Sequence, residues 1–272
     1  MSHTQYNRYV RTGVLSGLIL VGSLFFAGTT SAETYAPIIH PEDFSTNITN
    51  PYVSLPAGIE MQYKGKTAEG IETITVSVGG ETKTIMGVKT LVYKDTVWLD
   101  GQLIEDTVDY LAQDKEGNVW YFGEDSKSYK NGKYIDNHGS WTAGVDGAQP
   151  GIWMKARPKV GEVYRQEYLK GKAEDQGKVL SLSETVKVPN GTYKNCLKTL
   201  DFTELDRAKD EYKFYCPTIN GFALEISAKT GERSELISIE RVAPSDSDAE
   251  KSAKMEMLIN LLKQLIALLR TQ

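Results

Sequence analysis

Hydrophobic and polar residues alternate with a period of two along most of this chain, from Pro51 to Val242. Ile71 to Val78 (IETITVSV) is the cleanest stretch, and Gly79-Gly80 reads as a hairpin turn before Glu81 to Ile85. Val88 to Leu99 and Val108 to Gln113 read as two more strands, with Asp100-Gly101 as a tight-turn signal between them. The run Asp114 to Asn118 turns the chain into Val119–Glu124, and Asn131-Gly132 turns it again. Further strands are expected at 162–169, 177–188, 192–202, 210–216, 222–227 and 232–242, although 177–188 also admits a short helix. Their Val, Ile, Thr and Tyr suit a half-buried pleated surface. Many short strands with turns every 8–12 residues predict an all-β fold: an antiparallel curved sheet, barrel or sandwich. No long internal repeat interrupts the pattern, so residues 33–242 are expected to form a single β-rich domain.

The two ends follow different rules. Arg8 and Arg11 precede an apolar run from Gly13 to Gly28, and Thr29-Thr30-Ser31-Ala32 supplies small residues before Glu33. That order predicts a signal peptide over 1–32, cleaved after Ala32. The alternative is a retained anchor, but the run falls short of the roughly 20 residues a spanning helix needs. The expected location is therefore periplasmic or secreted, with no transmembrane span after cleavage. At the other end, 243–248 reads as a polar linker and 249–270 as an amphipathic helix. There Met255, Leu258, Ile259, Leu262, Leu265, Ile266 and Leu269 recur every three or four positions. Such a stripe needs a cover. Self-association through Leu258, Leu262, Leu265 and Leu269 is the first expectation, with docking on the body or on a membrane surface as alternatives.

Composition narrows the chemistry. The chain has 272 residues and a formal net charge of −5, which loss of Arg8 and Arg11 makes more acidic. No basic tract stands against that background, which argues against a nucleic-acid partner. Cys196 and Cys216 flank a polar turn at 206–209; a hairpin centred on Asp206 sets them opposite each other, with Lys198 facing Phe214 and Leu200 facing Tyr212. In an oxidising compartment that predicts a disulfide rather than a redox centre, because C-x-x-C is missing.

The least strand-like segment runs from Asp136 to Trp153, with Gly139, Gly144, Gly147, Gly151 and Pro150. Trp120, Trp141, Asp146, Trp153 and Glu167 are the candidate ligand contacts for a small molecule, glycan or lipid. The alternative is that Trp141 and Trp153 plug an open end of the sheet. Glu124, Asp146, Glu167, Glu174 and Asp175 are the acids that could pair in a hydrolase acting on an envelope polymer. Asp114, Glu116 and Asn118 have alternating spacing that calcium could use, yet they lack the EF-hand glycine, and a solvated turn is the simpler reading. No other metal site and no cofactor are expected. Esterase, zinc-protease, phosphate-loop and dinucleotide fingerprints do not occur in the chain. The lead expectation is thus a non-enzymatic binding or interaction protein, with the hydrolase and a calcium-stabilised structural protein as alternatives.

The segments G-S-W-T-A-G-V-D-G-A-Q-P-G-I (139–152) and Y-R-Q-E-Y…A-E-D (164–175) carry a resemblance. Over roughly residues 44–242 the chain resembles a group of uncharacterised exported bacterial β-rich proteins. The resemblance implies a common β body and a shared pocket around Trp120, Glu124, Trp141, Asp146, Glu167, Glu174 and Asp175. It implies no activity.

Overall fold

The computed structural model describes residues 35–219, 221–241 and 257–258. The expected signal peptide, the linker and most of the C-terminal helix, with Leu262, Leu265 and Leu269, lie outside the described residues. Met257 and Leu258 are helical and exposed.

The body is all-β, as the alternation predicts. Its strands are β1 (Phe44–Ser45), β2 (Ile59–Lys66), β3 (Ile71–Val78), β4 (Thr82–Ile85), β5 (Val88–Leu99), β6 (Gln102–Asp114), β7 (Val119–Lys130), β8 (Lys133–Asp136) and β9 (Trp141–Thr142). They continue as β10 (Gln149–Met154), β11 (Val163–Arg165), β12 (Glu167–Tyr168), β13 (Gln176–Val188), β14 (Gly191–Phe202), β15 (Glu211–Tyr215), β16 (Phe222–Ser227) and β17 (Arg233–Arg241). Every pairing is antiparallel. The main wall runs β13-β14-β15-β16-β17-β2-β3-β5-β6-β7, and β10 then joins β7 to β12 while β11 returns to β13. The sheet therefore bends round on itself into a nearly closed barrel. Near-closure removes exposed edges that would otherwise invite pairing with other chains.

One local expectation holds and another comes out differently. The 177–188 run is strand, within β13. The Gly79-Gly80 turn does not fold residues 81–85 back onto β3; β4 pairs with β5, and β5 takes the place beside β3. The stronger turn is Met86-Gly87, both at positive φ, which makes β4–β5 the hairpin.

Inward positions change character along the barrel axis. At one end they are apolar: Ile59 and Met61 of β2, Val76 and Val78 of β3, Leu111 of β6 and Val119 of β7 are all buried. Ile48, Val53 and Leu55 lie against this end, where Leu55 bonds to Ile48 and Gly58 to Val78 through the backbone. Midway come rings, with Tyr63, Tyr93, Tyr121, Tyr215 and Trp153 all buried. Towards the other end the inward residues turn acidic, with Glu72, Asp95, Asp109, Glu124, Asp201 and Glu225 buried on six different strands. Outward positions of β2 and β3 stay in contact with water: Gln62 and Lys64 are exposed, and Glu60, Thr73 and Thr75 are partly exposed. Burying charge is costly unless the group is paired, hydrogen-bonded or neutralised, so the acidic end is where function is to be sought.

The cysteine prediction holds. Lys198 faces Phe214 and Leu200 faces Tyr212 across β14–β15, and Cys196 and Cys216 form a disulfide across 20 residues of chain.

Candidate functional site

The acidic end opens through two cavities of about 570 and 540 Å3, which share Lys130, Asp206 and Lys209 on their walls. The second is the richer chemically: Glu124, Glu167, Asp175, Ser126 and His138 line it. Three elements bring these groups together. β7 carries Glu124, β12 carries Glu167, and the chain entering β13 carries Asp175, whose carbonyl accepts from the amides of Gln166 and Glu167.

Two glycines permit that closeness. Gly151 of β10 faces the start of β12, where a Cβ would lie 2.4–2.7 Å from the backbone of Gln166 and Glu167. Gly123 of β7 has φ +143, and a Cβ there would meet the Trp141 carbonyl oxygen at 2.5 Å. A larger residue at either place would push β12 or β9 away from Glu124.

Tyr121 stands at the centre. Its hydroxyl lies 2.5 Å from Asp109 Oδ1 and 2.9 Å from Glu124 Oε2. A phenol has one proton, so one of the carboxyls has to donate. Burial, reinforced by the charges of Glu167 and Asp109, pushes Glu124 well above the usual carboxylate range. Burial also raises Asp109, to about 6, while the Tyr121 hydrogen bond and the Lys213 charge oppose the rise. The consistent arrangement at neutral pH is Glu124 donating to Tyr121 and Tyr121 donating to an ionised Asp109. Glu167, raised to about 8 by burial and then by the Asp175 charge, completes the group. The Trp141 indole counters part of that rise and meets the Tyr121 ring edge-on at 5.2 Å.

A second charged cluster lies deeper. Lys213 is fully buried, with Nζ 3.5 Å from Glu211, 3.5 Å from Glu225 and 3.7 Å from Asp201. Burial works against its charge, but three carboxylates outweigh burial and keep it protonated. Glu211 and Glu225 line the first cavity together with Glu72. Glu72 accepts from the Ser234 hydroxyl and is raised to about 7 by burial, then by Glu225.

Of the acids expected to pair, Glu124, Glu167 and Asp175 do converge. Asp146 does not: it is exposed at φ +52 in the turn after β9. Glu174 does not either, because its carboxylate accepts from the Gly171 amide in a surface turn. Trp141 and Trp153 are buried core rings, the latter edge-on to Tyr93 at 5.7 Å. Trp120 points to the face of β7 opposite Tyr121, where its indole donates to Asp114 and its ring meets Phe44. Asp114 accepts from the Asn118 amide, the Asn118 side chain and Trp120, so its oxygens serve the turn, and Glu116 is exposed. Among the described residues, no group of three or more His, Cys, Asp or Glu is placed to hold a metal ion.

Asp109, Tyr121, Asp201, Lys213, Glu211 and Glu225 escaped the sequence reading. One signal was present: in the hairpin register that places Cys196 opposite Cys216, Thr199 faces Lys213 and Asp201 faces Glu211. Charged residues thus share a face with Leu197, which is buried.

Comparison with protein-family models, with curated proteins and with solved structures finds no match to this chain.

Proposed function

We propose that this is an exported binding protein whose barrel takes a small water-soluble molecule into the carboxyl-lined cavity, without turning it over. The observation that carries the reading is the convergence of Glu124, Glu167 and Asp175, from three separate elements, on one cavity of about 540 Å3. That is an ordinary volume for a small-molecule site. Tyr121 and Trp141 fix the carboxyls from behind, an arrangement that orients a bound molecule. Export rests on the leader-like residues 1–32 and on the disulfide, which suits an oxidising compartment. The C-terminal stripe from Leu258 to Leu269 would gather copies of the barrel.

The test is the amide spectrum of 15N-labelled protein, recorded against mixtures of amines, amino acids, sugars and dicarboxylates. Shifts confined to residues 124–128, 138–141 and 167–175, with the added compound recovered unchanged, support the reading. A spectrum indifferent to every mixture contradicts it.

A hydrolase is the second reading, and the presence of Glu124 and Glu167 on one cavity wall, with the Glu167 charge raising Glu124, favours it. It predicts that a glycan entering the cavity is cleaved, and that Glu124→Gln abolishes cleavage with the fold intact. Recovery of unaltered glycan from the wild-type protein would exclude it.

A further inference from the structure

We infer that the molecule taken by this cavity is a small organic cation bearing primary or secondary ammonium groups. The inference rests on the binding reading above and names the class of ligand.

The first argument is a count of donors against acceptors. Among the described residues, buried side-chain oxygens without a hydrogen-bond partner around the acidic end include Asp109 Oδ2, Gln166 Oε1, Thr199 Oγ1 and Asp201 Oδ1. Their residues are 1%, 1%, 0% and 7% exposed. Thr199 is a buried hydroxyl directly across the sheet from Lys213, able to accept as well as donate. None of these residues lines the cavity itself; the others are tied to its wall or to Lys213 through hydrogen bonds and ion contacts. Asp109 reaches Glu124 through Tyr121, and the Gln166 amide donates to Asp201, which faces Lys213. Buried oxygens of this kind call for donors, directly or through water. An ammonium group is all donor, whereas a sugar hydroxyl brings as much acceptor as donor and a carboxylate brings acceptor alone. The indole N–H groups of Trp141 and Trp153 also lack a geometrically good acceptor, but those rings pack edge-on against Tyr121 and Tyr93.

The second argument is charge. Glu124, Glu167 and Asp175 line one cavity, and Asp109 joins Glu124 through Tyr121. Three lysines share the wall, Lys130, Lys172 and Lys209, but six acids outnumber them there: Glu105, Glu124, Asp136, Glu167, Asp175 and Asp206. Lys172 donates to the Ser140 carbonyl, and the buried Lys213 faces three carboxylates of its own. An arriving cation favours the ionised form of these carboxyls and releases their protons, whereas an anion would hold them protonated.

Spermidine, maltotriose and glutarate, titrated separately into the labelled protein at pH 7.5 and low salt, decide the class. Spermidine is expected to shift residues 124–128 and 167–175. Its affinity should fall at least tenfold in the Glu124→Gln/Glu167→Gln double variant and hold in Glu60→Gln, an acid on the outer face. The amides are near-isosteric, and near-UV circular dichroism checks that the fold is kept. If maltotriose or glutarate shifts the cavity and spermidine does not, the cation assignment fails while the binding site stands. If spermidine binds equally well to the double variant, the attraction is to the acidic surface and the assignment fails too. If none of the three shifts the cavity, the assignment fails, and the broader mixtures above judge the binding reading separately.

Discussion

Glu167 shows how one buried carboxyl ties stability to pH. Its folded pKa of about 8 lies above its ordinary value of 4.5, so the folded protein holds this proton more tightly than the unfolded chain does. The stability associated with that proton is complete below pH 4.5 and is lost as pH rises through about 8. Glu167→Gln keeps the shape and removes the ionisation. It is expected to be more stable than wild type at pH 8.5 by at least ~1 kcal/mol, the worth of one pKa unit, and about equal at pH 4.5. Urea unfolding at the two pH values measures this; an unchanged difference between them would mean that Glu167 is solvated. The sequence places Glu167 beside Tyr168 in an alternating run, but an inward acid and an outward acid look alike in such a run. Asp146 and Glu174 failed for a related reason: acids and glycines in loops serve turns as readily as sites.

Among the elements, the β14–β15 hairpin was the most legible. Its register followed from the polar turn and the two cysteines, and it carried the disulfide with it. Removing that bond with paired Cys196→Ala and Cys216→Ala should cost about 3 kcal/mol. In a domain of this size that lowers Tm by roughly 6–12 °C. A calorimetric Tm within 2 °C of wild type would show that the bond constrains little in the unfolded chain. The β3–β4 turn was misread because Gly79-Gly80 is a hairpin signal by composition, while the pairing of β3 with β5 is a long-range choice. Six aligned pairs, Glu72 to Ser77 against Leu99 to Lys94, outweigh anything the four-residue β4 can offer β3.

For the whole molecule, alternation was enough to predict an all-β body, but not its closure or its axial gradient. Period two says that alternate residues share a face; it does not say which strands curve towards each other, so the meeting of β7, β12 and the start of β13 was invisible. The C-terminal stripe belongs to this scale as well. If it gathers copies of the barrel, removal of residues 244–272 reduces the mass measured by light scattering to that of one chain. An unchanged assembly would place the contact on the barrel instead.

The account depends most on the acidic end being buried and proton-rich. Carbon-13 NMR of the side-chain carboxyls, followed from pH 3 to 10, tests that directly. The expected midpoints are near 6 for Asp109, near 7 for Glu72 and near 8 for Glu167, with Glu124 well above the ordinary range. All four titrating together near pH 4 would mean that water already fills the barrel among freely ionised acids, and the cavity described here would be surface.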